Sequence, residues 1–158
     1  IALREMHRVL EPEGLLMFST LGPDTLKELR DCFSDGHAHT SRFGDMHDYG
    51  DMLVEHGFSN PVVESERLTL TYANVDALFS DLRGNGAGNA ATDRRRGLMG
   101  RGTWRAVADA YEKFRRDGRL PATLEVIYAH AWKTEARQTG DGHAIIRFET
   151  RQSFRRSR

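Results

Sequence analysis

The segment from Ala122 to Trp132 is apolar at most positions, is rich in alanine, valine, isoleucine and aromatic residues, and contains no glycine or proline. Such a composition marks an interior strand, one with neighbours on both sides. The rest of the chain must therefore supply partners for it. One partner is Leu15-Leu16-Met17-Phe18, a continuous apolar run set off by the turn Glu11-Pro12-Glu13-Gly14. There proline cannot continue a helix and glycine permits positive φ. The run lacks alternation, which suits a strand buried on both faces, as in a parallel sheet covered by helices. Leu68-Thr69-Leu70-Thr71-Tyr72 alternates with period two and is expected near a sheet edge.

Helical spacings fill the intervals. Leu3, Met6, Val9 and Leu10 form the first stripe. Pro23 introduces a second helix, where Thr25 and Glu28 have capping-box spacing and Leu26, Leu29 and Phe33 point inward. A third, over about 46–56, turns Tyr49, Met52 and Leu53 inward and stops at Gly57. Asn74 caps a fourth with Val75, Leu78, Phe79 and Leu82. Trp104, Val107, Ala108, Tyr111 and Phe114 mark a fifth, ended by Gly118. Between the last two lies Gly84–Gly102, with six glycines and three consecutive arginines, too long for a mere connector. Ala144–Phe148 could form a late strand, and the polar end of the chain is expected to be disordered. No repeat or linker is visible. The sum is an α/β layout with helices on a small sheet of about three strands.

Net charge is zero but unevenly spread. Asp31–Glu66 holds eight acids against one base, Arg42, whereas Arg94–Arg119 holds nine bases against three acids. The second stretch is expected to meet something anionic, with two solvated faces of opposite sign as the plainer reading. No run reaches the roughly 20 apolar residues of a membrane span, and without a signal peptide a cytoplasmic location is expected. Cys32, the one cysteine, lies among apolar helix positions and is read as inert. His37, His39, His47 and His56 stand near Asp45 and Asp48 but lack paired cysteines or a helical His-x-x-x-His, so no metal is expected. His130 alternates with Tyr128 and Trp132 and reads as a hydrogen-bonded core histidine. The chain opens on Ile1, inside a helical spacing, and is expected to be a piece of a longer one, whether cut, expressed as a part or read from a misplaced start.

Three segments carry a family resemblance. Ala2–Leu10, the Glu11–Gly14 turn and Leu15–Thr20 are similar to the helix, turn and fifth strand of class I S-adenosylmethionine-dependent methyltransferases, many of which have glycine where Glu13 stands. Phe18-Ser19-Thr20-Leu21-Gly22-Pro23-Asp24-Thr25-Leu26-Lys27-Glu28-Leu29, with Arg42-Phe43, Met46-His47-Asp48 and Gly57-Phe58 further on, resembles the malonyl-acyl-carrier-protein methyltransferases of biotin synthesis. Leu68–Tyr72 with the glycine-rich loop, then Arg119–Thr123 leading to Tyr128 and Trp132, completes the likeness over residues 1–133.

The resemblance implies the C-terminal part of a Rossmann-like methyltransferase sheet with an insertion at about 74–118, followed by a polar tail over 134–158. It implies S-adenosylmethionine as the full-length parent's cofactor. No glycine-rich strand-to-helix loop precedes a helix in this chain, since Gly84-x-Gly86-x-Gly88 follows one, so no cofactor is expected to bind here. Methyl transfer to a carboxylate needs no general base, only alignment within about 3–3.5 Å. A guanidinium suits the acceptor carboxylate, and the Arg42-Phe43 pair is the choice, with an Arg42 pairing to Asp45 or Asp48 as the structural alternative. Ser19 and Thr20, at the strand's carboxyl end, could line the pocket. An acidic carrier protein would dock on Arg94, Arg95, Arg96, Arg101 and Arg105. In the superfamily the Leu15–Phe18 strand is central. With its neighbour missing, its apolar edge is expected to pair with a second copy. The alternatives are a methyltransferase-like assembly factor without methyl transfer, and a binding module for protein or nucleic acid. Zero net charge and the lack of a basic stripe interleaved with aromatics disfavour nucleic acid.

Overall fold

A computed structural model of the chain describes residues 2–88, 92, 94, 97 and 99–134. Its elements run α1 (Ala2–Val9), β1 (Leu15–Leu21), α2 (Lys27–Arg30), α3 (Met46–Glu55), β2 (Phe58–Tyr72), α4 (Val75–Gly84), α5 (Arg101–Glu112) and β3 (Leu120–Lys133). The sheet order is β1-β3-β2, so the strand expected to be interior is the central one. It pairs antiparallel with both neighbours, Leu15 opposite Trp132 and Tyr72 opposite Leu120. The expected late strand and tail lie outside the described residues.

The antiparallel pairing corrects the reading of β1. Successive side chains alternate between faces, so Leu16 and Phe18 join Leu3, Leu53, Phe58, Ala129 and Ala131 under α1 and α3. Leu15 and Met17 stand on the other face, where Met17 is 69% exposed. Tyr128 and Trp132 are beside them and exposed, and His130 is only half-buried, its ring edge against Trp132 at 5.2 Å between centroids. His130 thus belongs to an open face rather than to the core. Near the start of β3 that same face is sealed: Leu120 and Ala122 pack with Leu29, Val75, Leu78, Val107 and Tyr111. Tyr111 is fully buried, and its hydroxyl donates to the Pro121 carbonyl at 2.9 Å.

The Thr25–Glu28 spacing does not make a capping box. α2 is one turn, and its N-cap is Leu26 at φ 54° with no side-chain cap. Pairing of β1 with β3 ends at Leu21 opposite Val126, leaving the backbone of Glu125 and Thr123 to be satisfied by other means. The Gly22 and Leu26 amides donate to the Glu125 and Thr123 carbonyls at 2.8 and 2.7 Å. Thr25 Oγ1 accepts from the Glu125 amide and donates to its carbonyl. The Glu28 carboxylate accepts from the Thr123 amide and hydroxyl. All four of Thr25, Glu28, Thr123 and Glu125 are buried, and this network is what makes their burial tolerable. A Cβ on Gly22 would come within 2.5 Å of the Glu125 carboxylate, so the approach requires glycine.

Two expectations at α3 and α4 hold: Asn74 Oδ1 accepts from the Ala77 amide, and Gly57 ends α3 at φ 85°. Leu53 is fully buried and Tyr49 meets the Phe18 ring edge-on, but Met52 is exposed. Asp45 and Asp48 form a reciprocal capping box at the start of α3. Glu13 takes φ 62° and holds the α1–β1 turn to the end of β3, its amide donating to the Lys133 carbonyl at 2.7 Å.

Candidate functional site

Two cavities flank the loop between α2 and α3. The larger, about 610 Å³, lies on the face of Leu120 and Ala122, where Leu21, Leu70, Tyr72 and Leu124 form a sheet floor. α4 supplies Leu78, Phe79, Asp81, Leu82 and Arg83, α2 supplies Leu29, and the loop closes it with His39, Thr40, Ser41 and Phe43. The aromatic stripe of α5 backs this wall, Trp104 meeting Phe79 edge-on at 4.7 Å between centroids. The second cavity, about 320 Å³, lies across the loop and is more polar, with Arg30, Phe33, Gly36, His37, His39 and Arg42 around it.

The loop carries its own fastening. The His39 ring stacks on Phe33, with centroids 3.7 Å apart and planes 6° from parallel. Its Nε2 is 2.7 Å from Asp35 Oδ1, which also accepts from the His37 amide at 3.2 Å. The hydrogen bond to His39 is the main cause holding the Asp35 carboxyl below the usual aspartate range. At the larger cavity's rim Tyr72 donates to Asp81 Oδ2 at 2.6 Å. Burial first, and that bond second, push its phenol up to about 12. Cys32 donates to the Glu28 carbonyl, and burial raises its thiol pKa.

Of the residues the sequence singled out, Phe43 lines the larger cavity, while Arg42 is exposed beside the smaller one. Ser19 and Thr20 point to opposite faces, opposite Tyr128 and Ile127, and neither lines either of these two cavities. Arg94 sits against the loop through a parallel bridge to Ala38. Arg95 and Arg96 lie outside the described residues. Arg101 and Arg105 are exposed on α5. Two other arginines of the basic stretch hold local structure: Arg115 spans Glu112 and the carbonyls of Ala73 and Gly118, and Arg119 bonds Thr71. Sequence reasoning passed over His39 after weighing it only as a metal ligand. Its signal was an aspartate four residues before it and an aromatic six before. Among the described residues no group of three or more His, Cys, Asp or Glu could hold a metal ion. None of the described helices is long and apolar enough to cross a membrane.

No family profile matches the chain. It is 57% identical over 145 residues to the malonyl-[acyl-carrier protein] O-methyltransferase of Gallionella capsiferriformans, covering 90% of this chain and 50% of that protein. The enzymes of the same name from Laribacter hongkongensis and Methylovorus sp. are 55% and 56% identical, covering 92% and 96% of this chain and 51% and 52% of theirs. The YcgJ protein of Bacillus subtilis superposes with a TM-score of 0.49 at 12% identity, over 85% of this chain and 57% of that one. The chain spans about half the length of the curated relatives it matches. In sequence, it is a relative of the malonyl-[acyl-carrier protein] O-methyltransferases, matched along nearly all of its own length and about half of theirs.

Proposed function

We propose that this chain is the acceptor-side, C-terminal half of an S-adenosylmethionine-dependent methyltransferase that esterifies the free carboxylate of a malonyl-acyl-carrier protein, and that alone it transfers nothing. The observation carrying this reading is identity of 55–57% to enzymes of that name across nine-tenths or more of the chain. Residues 1–133 are then the partial domain, with 74–118 as an insertion walling the acceptor cavity.

The described residues do not fit the cofactor. Nothing lies within 4 Å of a Cβ built at Gly84, Gly86 or Gly88, so these glycines do not form a close-fitting cradle. Of the two described strand-to-helix turns, β2 to α4 contains no glycine, and at β1 to α2 the space beside Gly22 is filled by the Glu125 carboxylate, which already takes the Asp24 amide at 2.8 Å. The parent's other half would supply that site. This half binds and orients the acceptor. Phe43 and the leucines of the larger cavity exclude water from the acyl thioester, and Arg42 stands at the neighbouring cavity for an anionic group. Ser19 and Thr20, clear of both cavities, would act only where the parent's other half meets β1. Arg94, Arg95, Arg96, Arg101 and Arg105 form the docking surface for the acidic carrier. The location is cytoplasmic, and in the isolated chain a second copy pairs with the edge of β1 away from β3, which the other half would otherwise cover.

The test is methyl transfer by the full-length protein to malonyl-carrier, against this chain alone. The parent should form the ester and the chain should neither form it nor bind S-adenosylmethionine in calorimetry. A parent inert toward malonyl-carrier would reject the substrate assignment, and micromolar cofactor binding by the chain would reject the division of labour. A monodisperse monomer in light scattering would reject the β1 edge as an interface.

A further inference from the structure

The roles above leave His39 without one. Its side chain is only 9% exposed, yet it borders both cavities. Phe33 covers one ring face, and Asp35 takes Nε2. An ionised carboxylate can only accept, so Nε2 carries the hydrogen of that bond and Nδ1 is the nitrogen left for a ligand. Among the described residues Nδ1 has no hydrogen-bond partner. In the neutral ring Nδ1 presents a lone pair, which repels an anion; in the imidazolium it donates a charge-assisted bond.

The other charged groups nearby are placed differently. Arg30 and His37 border only the smaller cavity, as does Arg42. Arg30 donates to the Pro23 carbonyl at 2.8 Å. On the larger cavity Arg83 is exposed, and Asp81 is engaged by Tyr72 and Asn85. Among the described residues that line both cavities, His39 is therefore the one that can carry positive charge.

We propose that His39, oriented by Asp35 and Phe33, binds the free carboxylate of the acyl thioester acceptor through Nδ1 as an imidazolium. This rests on the reading of the chain as an acceptor half, and it names a carboxylate-binding residue apart from Arg42. Binding of the acid and of a proton are then linked. The acid is taken up together with a proton, so its affinity falls as pH rises across the histidine range.

The experiment uses the full-length enzyme, malonyl-pantetheine as probe and its methyl ester as the uncharged control, in calorimetry from about pH 5.5 to about pH 8.5, across the histidine range. Wild type should bind the free acid about tenfold to a hundredfold more tightly at the acidic end, the contrast a charged hydrogen bond supplies. His39→Phe, which keeps a ring to stack on Phe33, should bind the acid weakly at every pH and the ester as wild type does. Should that variant fail to fold, Asp35→Asn serves. Without the neighbouring negative charge the donating ring loses its partner, so binding of the acid at the acidic end should weaken while binding of the ester holds. A flat wild-type profile, wild-type affinity in His39→Phe, undiminished acid binding in Asp35→Asn, or no binding at all would each overturn the proposal. Methyl transfer is measured alongside. Esterification with a flat profile retires His39 and keeps the enzyme reading, whereas pH-linked binding without esterification does the reverse.

Discussion

The two faces of the sheet carry similar apolar residues and very different surroundings. On one, Ile127, Ala129 and Ala131 are buried, the last two in one cluster with Leu3 of α1 and Leu53 of α3. On the other, α4 and α5 close over Leu120 and Ala122 and go no further, leaving Met17, Tyr128 and Trp132 exposed at the far end. The larger cavity lies where that cover ends, over Leu124 and Leu21. Apolar composition thus says that a residue is meant to be covered, while the cover is set by elements elsewhere in the chain.

The contrast is open to attack by substitution. Leu53→Ala, on the sealed face, should lose about 2–5 kcal/mol in denaturant unfolding. A loss as small as that of a surface change would deny the face its seal. Thr25→Val removes a hydroxyl bonded to both backbone groups of Glu125 and should cost about 1–3 kcal/mol; a neutral outcome would mean water replaces it. Glu13→Gly relieves a left-handed φ at the α1–β1 turn and should stabilise by up to about 1 kcal/mol. Met17→Ala, on the open face, should stay within about 0.5 kcal/mol, and a core-sized loss would show that something covers it in solution.

The smallest effect is expected from pH. Asp24, Asp35 and Asp45 all sit below the ordinary aspartate value, through Lys27, His39 and the Asp48 amide respectively. A depressed folded pKa contributes stability that is present above the unfolded value, near 3.9, and is lost as pH falls through the folded one. The thermal midpoint should therefore hold down to about pH 5 and fall below about pH 4. Asp45→Asn should flatten that fall slightly.

Most of the architecture was legible because it is local. Asn74, Gly57 and the α5 stripe act within a turn or two of themselves, and β3 announces its interior place by composition. The misreadings have one physical source, long-range pairing. Thr25 and Glu28 have capping-box spacing but are used by β3, 100 and 95 positions away. β2 begins ten residues before its alternation becomes visible, because a register irregularity between Ser59 and Val62 and the exposed Glu64 and Glu66 on the less covered face mask the period. At the candidate site, Phe43 could be picked out by likeness. His39 could not, because its value depends on a stack and an ion pair that only the folded loop creates.

The central position of β3 has a consequence for biosynthesis. The strand that unites the sheet is the last of the described strands to be translated, and the contact between Asp24 and Glu125 spans 101 positions. While the ribosome is still upstream of Leu120, β1 and β2 lack their partner among the described strands, since neither pairs with the other. Their apolar residues stay accessible to chaperones and to other nascent chains throughout that interval. Slower elongation through the arginine-rich stretch before Leu120 would lengthen the exposure, and faster elongation would shorten it. For this chain the yield of folded protein is expected to depend on timing as well as on stability.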